Sequence, residues 1–334
     1  MKKEQIKILS PVDRIEEVLP LIKAGADEFF CGFLIRGEIF SSIRESVKRI
    51  SDNKYDYSKF NASSLDEFIA LARLIKSKGK KIFLALNSPF LDESKIKIAE
   101  DIINRIKNLN IDGVIISDLR LVNILKNAGM NMVASSYLEV KNEEAVKYLI
   151  VAGFKRIIFD RQVTLADIKI IKKYPQMEFE TFVLHSGCRS LGGYCCRGYI
   201  LADKKQLKNI KMSSHPCCGI YKIANRQKIK KPDLSINKNI IAGRLTMPAN
   251  ICGACAIYQF KKYGITSIKI VGRGYPTDKK ITSVKFIKKC LSLSEQFKNK
   301  KDYYKETRRL FEHTFNALNE GCLEKECYYP HFFN

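Results

Sequence analysis

Most of the chain's eleven cysteines stand between residues 188 and 255 in three groups: Cys188 with Cys195 and Cys196, then His215-Pro216-Cys217-Cys218, then Cys252-x2-Cys255. The odd total, and an opening Met1-Lys2-Lys3-Glu4-Gln5 that leads into too short an apolar run for a signal peptide, argue against a disulfide framework and for thiolate ligation. Four thiolates make a zinc site or an iron–sulfur site. Zinc favours two compact Cys-x2-4-Cys knuckles, and only Cys252 and Cys255 form one, whereas widely spaced single ligands suit a cluster. Spacing alone leaves iron–sulfur, zinc and plain buried thiols open. Cys31 and Cys290, alone in apolar segments, read as small core residues, and Cys322 and Cys327 beside Tyr328-Tyr329-Pro330 as packing or regulation.

Arg189 and Arg197 flank the first cysteines, where a guanidinium can grip a carboxylate or phosphate bidentately, or simply face solvent. Arg273, with Gly272 and Gly274 around it, has the same double reading at the end of a strand-like run.

The elements that must position these residues follow a βαβ rhythm. Strand-like runs stand at Ile6–Ser10, Glu28–Gly32, Lys81–Leu86, Gly113–Ser117, Met132–Ser135, Arg156–Asp160 and Glu178–Leu184. Helical stretches such as Ser64–Lys78 and Ser94–Asn108 separate them. An eighth run, Ser267–Arg273, arrives only after a long Cys-rich, basic interruption. The pattern predicts a (β/α)8 TIM-like barrel over residues 1–290, with an insert at about 186–255 after strand seven, and a tail, 291–334, built on one helix. Such barrels place their chemistry at the C-terminal ends of the strands, and the insert starts there. The alternative, a doubly wound nucleotide-binding sheet, lacks a Gly-x-Gly-x-x-Gly after the first strand.

With 46% hydrophobic and 28% charged residues, disorder and collagen-like repeats are excluded, and no apolar run has the length of a membrane helix. A soluble, cytoplasmic protein is expected. The net charge of +24 attracts phosphate-bearing partners such as RNA, although 43 Lys against 16 Arg also suits a Lys-rich genome. Residues 201–240 alone carry +8.

Several segments in order resemble peptidase family U32: Ile8-Leu9-Ser10-Pro11 with Gly25-Ala26-Asp27-Glu28, Glu180-x-Phe182-Val183 ahead of Cys188, His215-Pro216-Cys217, and Ile268–Arg273. The resemblance spans about residues 5–290. It implies a barrel-like core and a [4Fe-4S] cluster on Cys188, Cys195, Cys217 and Cys252, with Cys196, Cys218 and Cys255 as close competitors. It implies an enzyme related to those that hydroxylate RNA pyrimidines, or an aromatic ring without oxygen, with an RNA or small aromatic substrate and an electron donor protein. Glu180 is then inward-facing as a substrate-orienting group or general base, or else a structural carboxylate. His185 and Arg273 complete the implied catalytic set. The sequence departs from the family where Leu184 precedes His185, where Val271 replaces an acidic residue, and at Ser213 and Ser214. Other family members are named as collagen-degrading peptidases, yet this chain has no Gly-x-Ser-x-Gly or His-Glu-x-x-His. A metal-stiffened, non-catalytic RNA-binding protein is the remaining reading.

Overall fold

The computed structural model describes residues 5–35, 38–39, 60–88, 91–169, 173–185, 220–223, 241–244, 251–315 and 327–329. Cys188, Cys195, Cys217, Arg189 and Arg197 lie outside these residues.

Eight parallel strands close into a barrel: β1 (Lys7–Pro11), β2 (Glu28–Cys31), β3 (Lys81–Leu86), β4 (Gly113–Ile116), β5 (Met132–Ala134), β6 (Phe154–Ile158), β7 (Glu178–Leu184) and β8 (Ser267–Ile270). Each pairs with its neighbours in chain order, and β1 closes on β8 with Leu9 opposite Lys269. The (β/α)8 reading therefore holds. β8 stops at Ile270, short of the expected Arg273, because Gly272 and Gly274 turn the backbone to positive φ (147° and 75°). β6 runs two residues earlier than expected, since Asp160 starts a turn in which its carboxylate accepts the Gln162 amide (2.8 Å).

The outer layer comprises α1 (Val18–Ala24), α2 (Leu65–Ser77), α3 (Glu93–Ile106), α4 (Leu121–Asn127), α5 (Glu143–Val151), α6 (Leu165–Lys169) and α7 (Ile257–Tyr263). Ser64 caps α2 by accepting the Glu67 amide, and Asp92 caps α3 through Lys95. In α3 the buried residues are Ala99, Ile102, Ile103 and Ile106, a spacing that turns one stripe of the helix to the strands.

The C-terminal part differs from the single helix expected. Two helices form, α8 (Thr277–Gln296) and α9 (Lys300–Phe315), and the boundary drawn at 290 falls inside α8. Buried Phe286, Ile287, Cys290 and Leu291 carry its apolar face through that point. The break comes after Gln296, where Phe297 turns extended, and α9 opens behind Asn299, whose side chain accepts the Asp302 amide. Within the long β7–α7 connection, Ile220–Ile223 and Ile241–Arg244 pair as an antiparallel ribbon. No described helix is long and apolar enough to cross a membrane.

Candidate active site at the barrel mouth

The barrel lumen is floored by charge. From β6, Arg156 reaches across to β2, where its guanidinium meets Glu28 (Nη1–Oε2 2.7 Å, Nη2–Oε1 2.9 Å), and it also touches Glu180 (3.3 Å) and Glu178. Lys269 of β8 binds the other oxygen of Glu180 (2.9 Å), and Ser267 donates to Glu28 (2.9 Å). Arg156, Glu28 and Glu180 are each 2% exposed or less. Burial pushes the Glu28 carboxyl up, but Arg156, Ser267 and Lys81 outweigh it and hold the group below the ordinary carboxylate range. Burial likewise draws the Lys269 ammonium down, and Glu180 opposes that shift. Glu180, expected as a catalytic carboxylate, is thus one arm of an ion network directly beneath the mouth.

Above this floor, the C-terminal strand ends carry two guanidiniums on aromatic faces. Arg273 lies over the Phe30 ring (5.7 Å) and donates to Asn61 (3.2 Å), while Lys269 stands 3.9 Å from the same ring centroid. Arg161, just past β6, lies over the Phe182 ring (4.2 Å). Burial lowers the Arg273 pKa, Asp13, Tyr137 and Cys31 oppose that, and the like charge of Arg161 reinforces it, so the two arginines share one field. Asp160, beside Arg161, is 3% exposed and burial raises its pKa. Ser117, Asn87 and Ser135 form a polar chain along the ends of β3 to β5 (Ser117 Oγ to the Asn87 carbonyl 3.1 Å, Asn87 Nδ2 to Ser135 Oγ 3.3 Å). Flat rings, guanidiniums and small polar groups together suit an anionic, planar partner.

A second network holds the Arg273 turn in place. Asp13, just after β1, accepts the Asn61 amide (2.8 Å), the Gly274 amide (2.6 Å) and the Lys280 ammonium (2.5 Å), and Lys280 also binds Glu17 (2.8 Å). Asn61 sits at φ 65° and its side-chain oxygen also accepts the Gly32 amide (3.0 Å), so β1, β2 and β8 are tied together at their C-terminal ends.

The segment Ile251–Ala256 docks on the end of β7. His185 donates its amide to the Ile251 carbonyl and Gly253 to the Val183 carbonyl (2.8 Å each), so that Cys252 bridges Leu184. Cys252 and Cys255 are both buried. His185, at φ 64°, directs its ring toward α8, where Nε2 meets Ser283 Oγ (2.7 Å), and Tyr275 and Phe315 meet it edge-on. The structure therefore brings Glu180 and Arg273 to one lumen and places His185 against the helical layer. Among the described residues no three His, Cys, Asp or Glu are arranged around a metal position. Cys252 does suit a thiol-ligated centre as a donor: it is buried, at a barrel mouth, with its sulfur accepting the Ala254 amide (3.4 Å).

Sequence reasoning passed over Arg161, Asp160, Asn61 and the Asp13–Lys280 pair. The first two were marked by their place directly after a barrel strand, the position at which such folds keep their chemistry. Asn61 and Lys280 carry no such local mark and meet Asp13 only through the closed barrel.

The profile of "Peptidase family U32" matches residues 13–324. An uncharacterized protease of Methanocaldococcus jannaschii is 23% identical over 93% of this chain and 72% of its own length. A tRNA hydroxylation protein P1 of Bacillus subtilis is 22% identical over 57% of this chain and 41% of its own. A 23S rRNA 5-hydroxycytidine synthase of Escherichia coli is 26% identical over 41% of this chain and 21% of its own, so the chain spans less than half of either RNA-directed relative. With nearly its whole length matched and a closed eight-stranded barrel to carry the match, the chain belongs to peptidase family U32.

Proposed function

We propose that the barrel mouth is the active site of an iron–sulfur enzyme that hydroxylates, without molecular oxygen, a pyrimidine of an RNA or a related aromatic ring. The observation that carries this reading is the pairing of Arg161 on Phe182 with Arg273 on Phe30 above the Lys269–Glu180 pair. A planar base can stack on guanidiniums held flat against rings in this way while its phosphate meets the same cations, and the net charge of +24 draws the RNA in. RNA-hydroxylating relatives support the same substrate class. An RNA substrate puts the site of action in the cytoplasm.

Cys188, Cys195, Cys217 and Cys252 would hold a [4Fe-4S] cluster, with Cys255 beside the last. Such a cluster supplies one-electron transfer or an iron site for a small donor, fed by an electron donor protein. Arg161 and Arg273, with Arg189 and Arg197 from the insert, bind and orient the substrate. Lys269 donates from Nζ to Glu180 Oε1 at the floor of the site.

Among the described residues, the His185–Ser283 pair is a serine hydroxyl set against an imidazole, as a peptidase of the serine type would use. That serine is fully buried and its hydroxyl donates to the Lys279 carbonyl (2.7 Å), so a peptide has no approach to this pair.

The test is nucleoside mass spectrometry of ribosomal and transfer RNA from cells with and without the gene. Loss of a hydroxylated pyrimidine, restored by the wild type and not by Arg273→Ala, is expected. Unchanged RNA together with peptide cleavage by the pure protein that survives Cys188→Ser would return the peptidase reading.

A further inference from the structure

We propose that Asp160, just past the end of β6, contacts the substrate base directly, its Oδ2 accepting an N–H from the pairing edge of the pyrimidine, either N3–H of uracil or the 4-amino group of cytosine. The inference rests on the RNA reading above and supplies that reading with a residue that meets the base rather than the phosphate.

Register places the side chain. Arg156 pairs with Glu178 and Ile158 with Glu180, so these residues share the lumen face of neighbouring strands, while Ile157 and Phe179 share the outer one. The pairing carries past β6: the Phe159 amide donates to the Glu180 carbonyl (2.9 Å), and the Phe159 ring stacks on Phe179 on the outer side (5.5 Å). Asp160 comes next and returns to the lumen side, at the level of Phe182. The guanidinium of its chain neighbour Arg161 lies on that same Phe182 ring (4.2 Å).

The carboxylate is half satisfied. Oδ1 accepts the Gln162 amide (2.8 Å), and Oδ2 has no hydrogen bond or ion pair among the described residues. The nearby cations are engaged elsewhere, Arg161 on Phe182 and Lys141 on Glu139 (2.8 Å). At 3% exposure the group has little water to replace them, and burial raises its pKa, with Gln162, Arg161 and Lys141 opposing the rise and Glu139 adding to it. A buried carboxylate oxygen without a donor is costly, and a donor brought by a ligand removes that cost.

The charges of the mouth decide which donor. Phosphate oxygens are repelled by Asp160 and drawn to Arg161 and Arg273. A ring stacked on the Arg161 guanidinium lies along Phe182, and its edge falls beside the stack, where the preceding residue holds its oxygen. The Gln162 contact also gives Asp160 a role in its own turn, and asparagine separates the two roles. It must point its oxygen at the Gln162 amide, which keeps the turn and sets an NH2 group where Oδ2 stood.

The experiment measures fluorescence anisotropy of labelled ten-nucleotide oligouridylate, oligocytidylate and an abasic ribose-phosphate oligomer with wild type and Asp160→Asn. Asp160→Asn should bind one or both pyrimidine oligomers at least about fivefold more weakly and the abasic oligomer no more weakly, with a melting temperature close to wild type. Loss of a negative charge alone would tighten binding to every oligomer, so a turn residue that merely repels phosphate gives the opposite sign. Unchanged or tighter pyrimidine binding, or an equal loss on the abasic oligomer, overturns the inference while leaving the RNA reading standing. If Asp160→Asn does not fold, the wild type decides with oligomers methylated at uracil N3 or twice at the cytosine amine: a fivefold loss in either supports the contact, and affinities equal to the parents overturn it. A wild type that binds pyrimidine oligomers no better than the abasic one removes the inference and the RNA reading together.

Discussion

Arg156 and Glu28 meet across the barrel lumen through two parallel hydrogen bonds of 2.7 and 2.9 Å, although they belong to strands on opposite sides. The pair is fully enclosed, and Glu180 and Lys269 extend it toward the mouth. Two charges out of water are stable only when every lone pair and proton is met, which the added Ser267 and Lys81 contacts accomplish.

Replacing Arg156 by Leu strands Glu28 and weakens the holding of Glu180. Loss of one partner from a buried pair costs about 3–5 kcal/mol. Urea unfolding of Arg156→Leu against wild type should show a loss of that size, and the Glu28→Gln/Arg156→Leu double variant should recover part of it. A loss under about 1 kcal/mol would show that the lumen is more hydrated than this geometry implies.

The same pair gives the protein an acid limit. The folded-state pKa of Glu28 lies below its ordinary value, so the stabilisation is fully present above that ordinary value and is lost as pH falls through the lowered one. Unfolding free energy measured from pH 7 down to pH 3 should decline less steeply in Glu28→Gln than in wild type. Equal slopes would assign the acid sensitivity to other carboxylates.

Arg161→Ala and Arg273→Ala should each weaken RNA binding at least about tenfold, since a charge-assisted contact contributes roughly 1.5–3 kcal/mol. Each should also flatten the dependence of affinity on salt. Fluorescence anisotropy at several salt concentrations reads both effects, and melting temperatures close to wild type would separate them from unfolding. Undiminished affinity in both variants would place the RNA elsewhere on the surface.

Gly274→Ala forces a side chain onto a φ of 75° and into the Phe60 ring. Strain of this kind costs about 1–3 kcal/mol, and the turn that carries Arg273 should shift off Asp13. Thermal denaturation should register the loss, and the variant's RNA affinity should fall with it, whereas Gly79→Ala, with open space around its Cβ, should leave that affinity intact.

The barrel was legible because its signal is local and repeated. β3 and β7 keep the bounds their apolar runs predict and α2 starts where Ser64 caps it, whereas α3 starts at Glu93, one residue ahead of the expected Ser94, because Asp92 caps it. The length of α8 was not, because nothing near residue 290 marks either a stop or a continuation and the packing of Phe286 and Leu291 decides it. At the site, Glu180 and Arg273 stand on strand ends and their place follows from register. Asn61 and Lys280 both bind Asp13, 48 and 267 residues away, and Asn61 also meets Arg273 directly, and periodicity carries no trace of such contacts. Cys327 is a similar case, since its neighbour Cys252 becomes adjacent only once the tail is tied to β7. Cys188, Cys195, Cys217, Arg189 and Arg197 lie outside the described residues.

The proposed function stands on an iron–sulfur cluster held by cysteines of this chain. It is tested most directly by purification without oxygen, iron and sulfide quantification and an absorbance spectrum, on the wild type and on Cys188→Ser. About four iron and four sulfide per chain, lost in the variant, is the predicted result. Stoichiometric zinc, or no metal in the wild type, would contradict it.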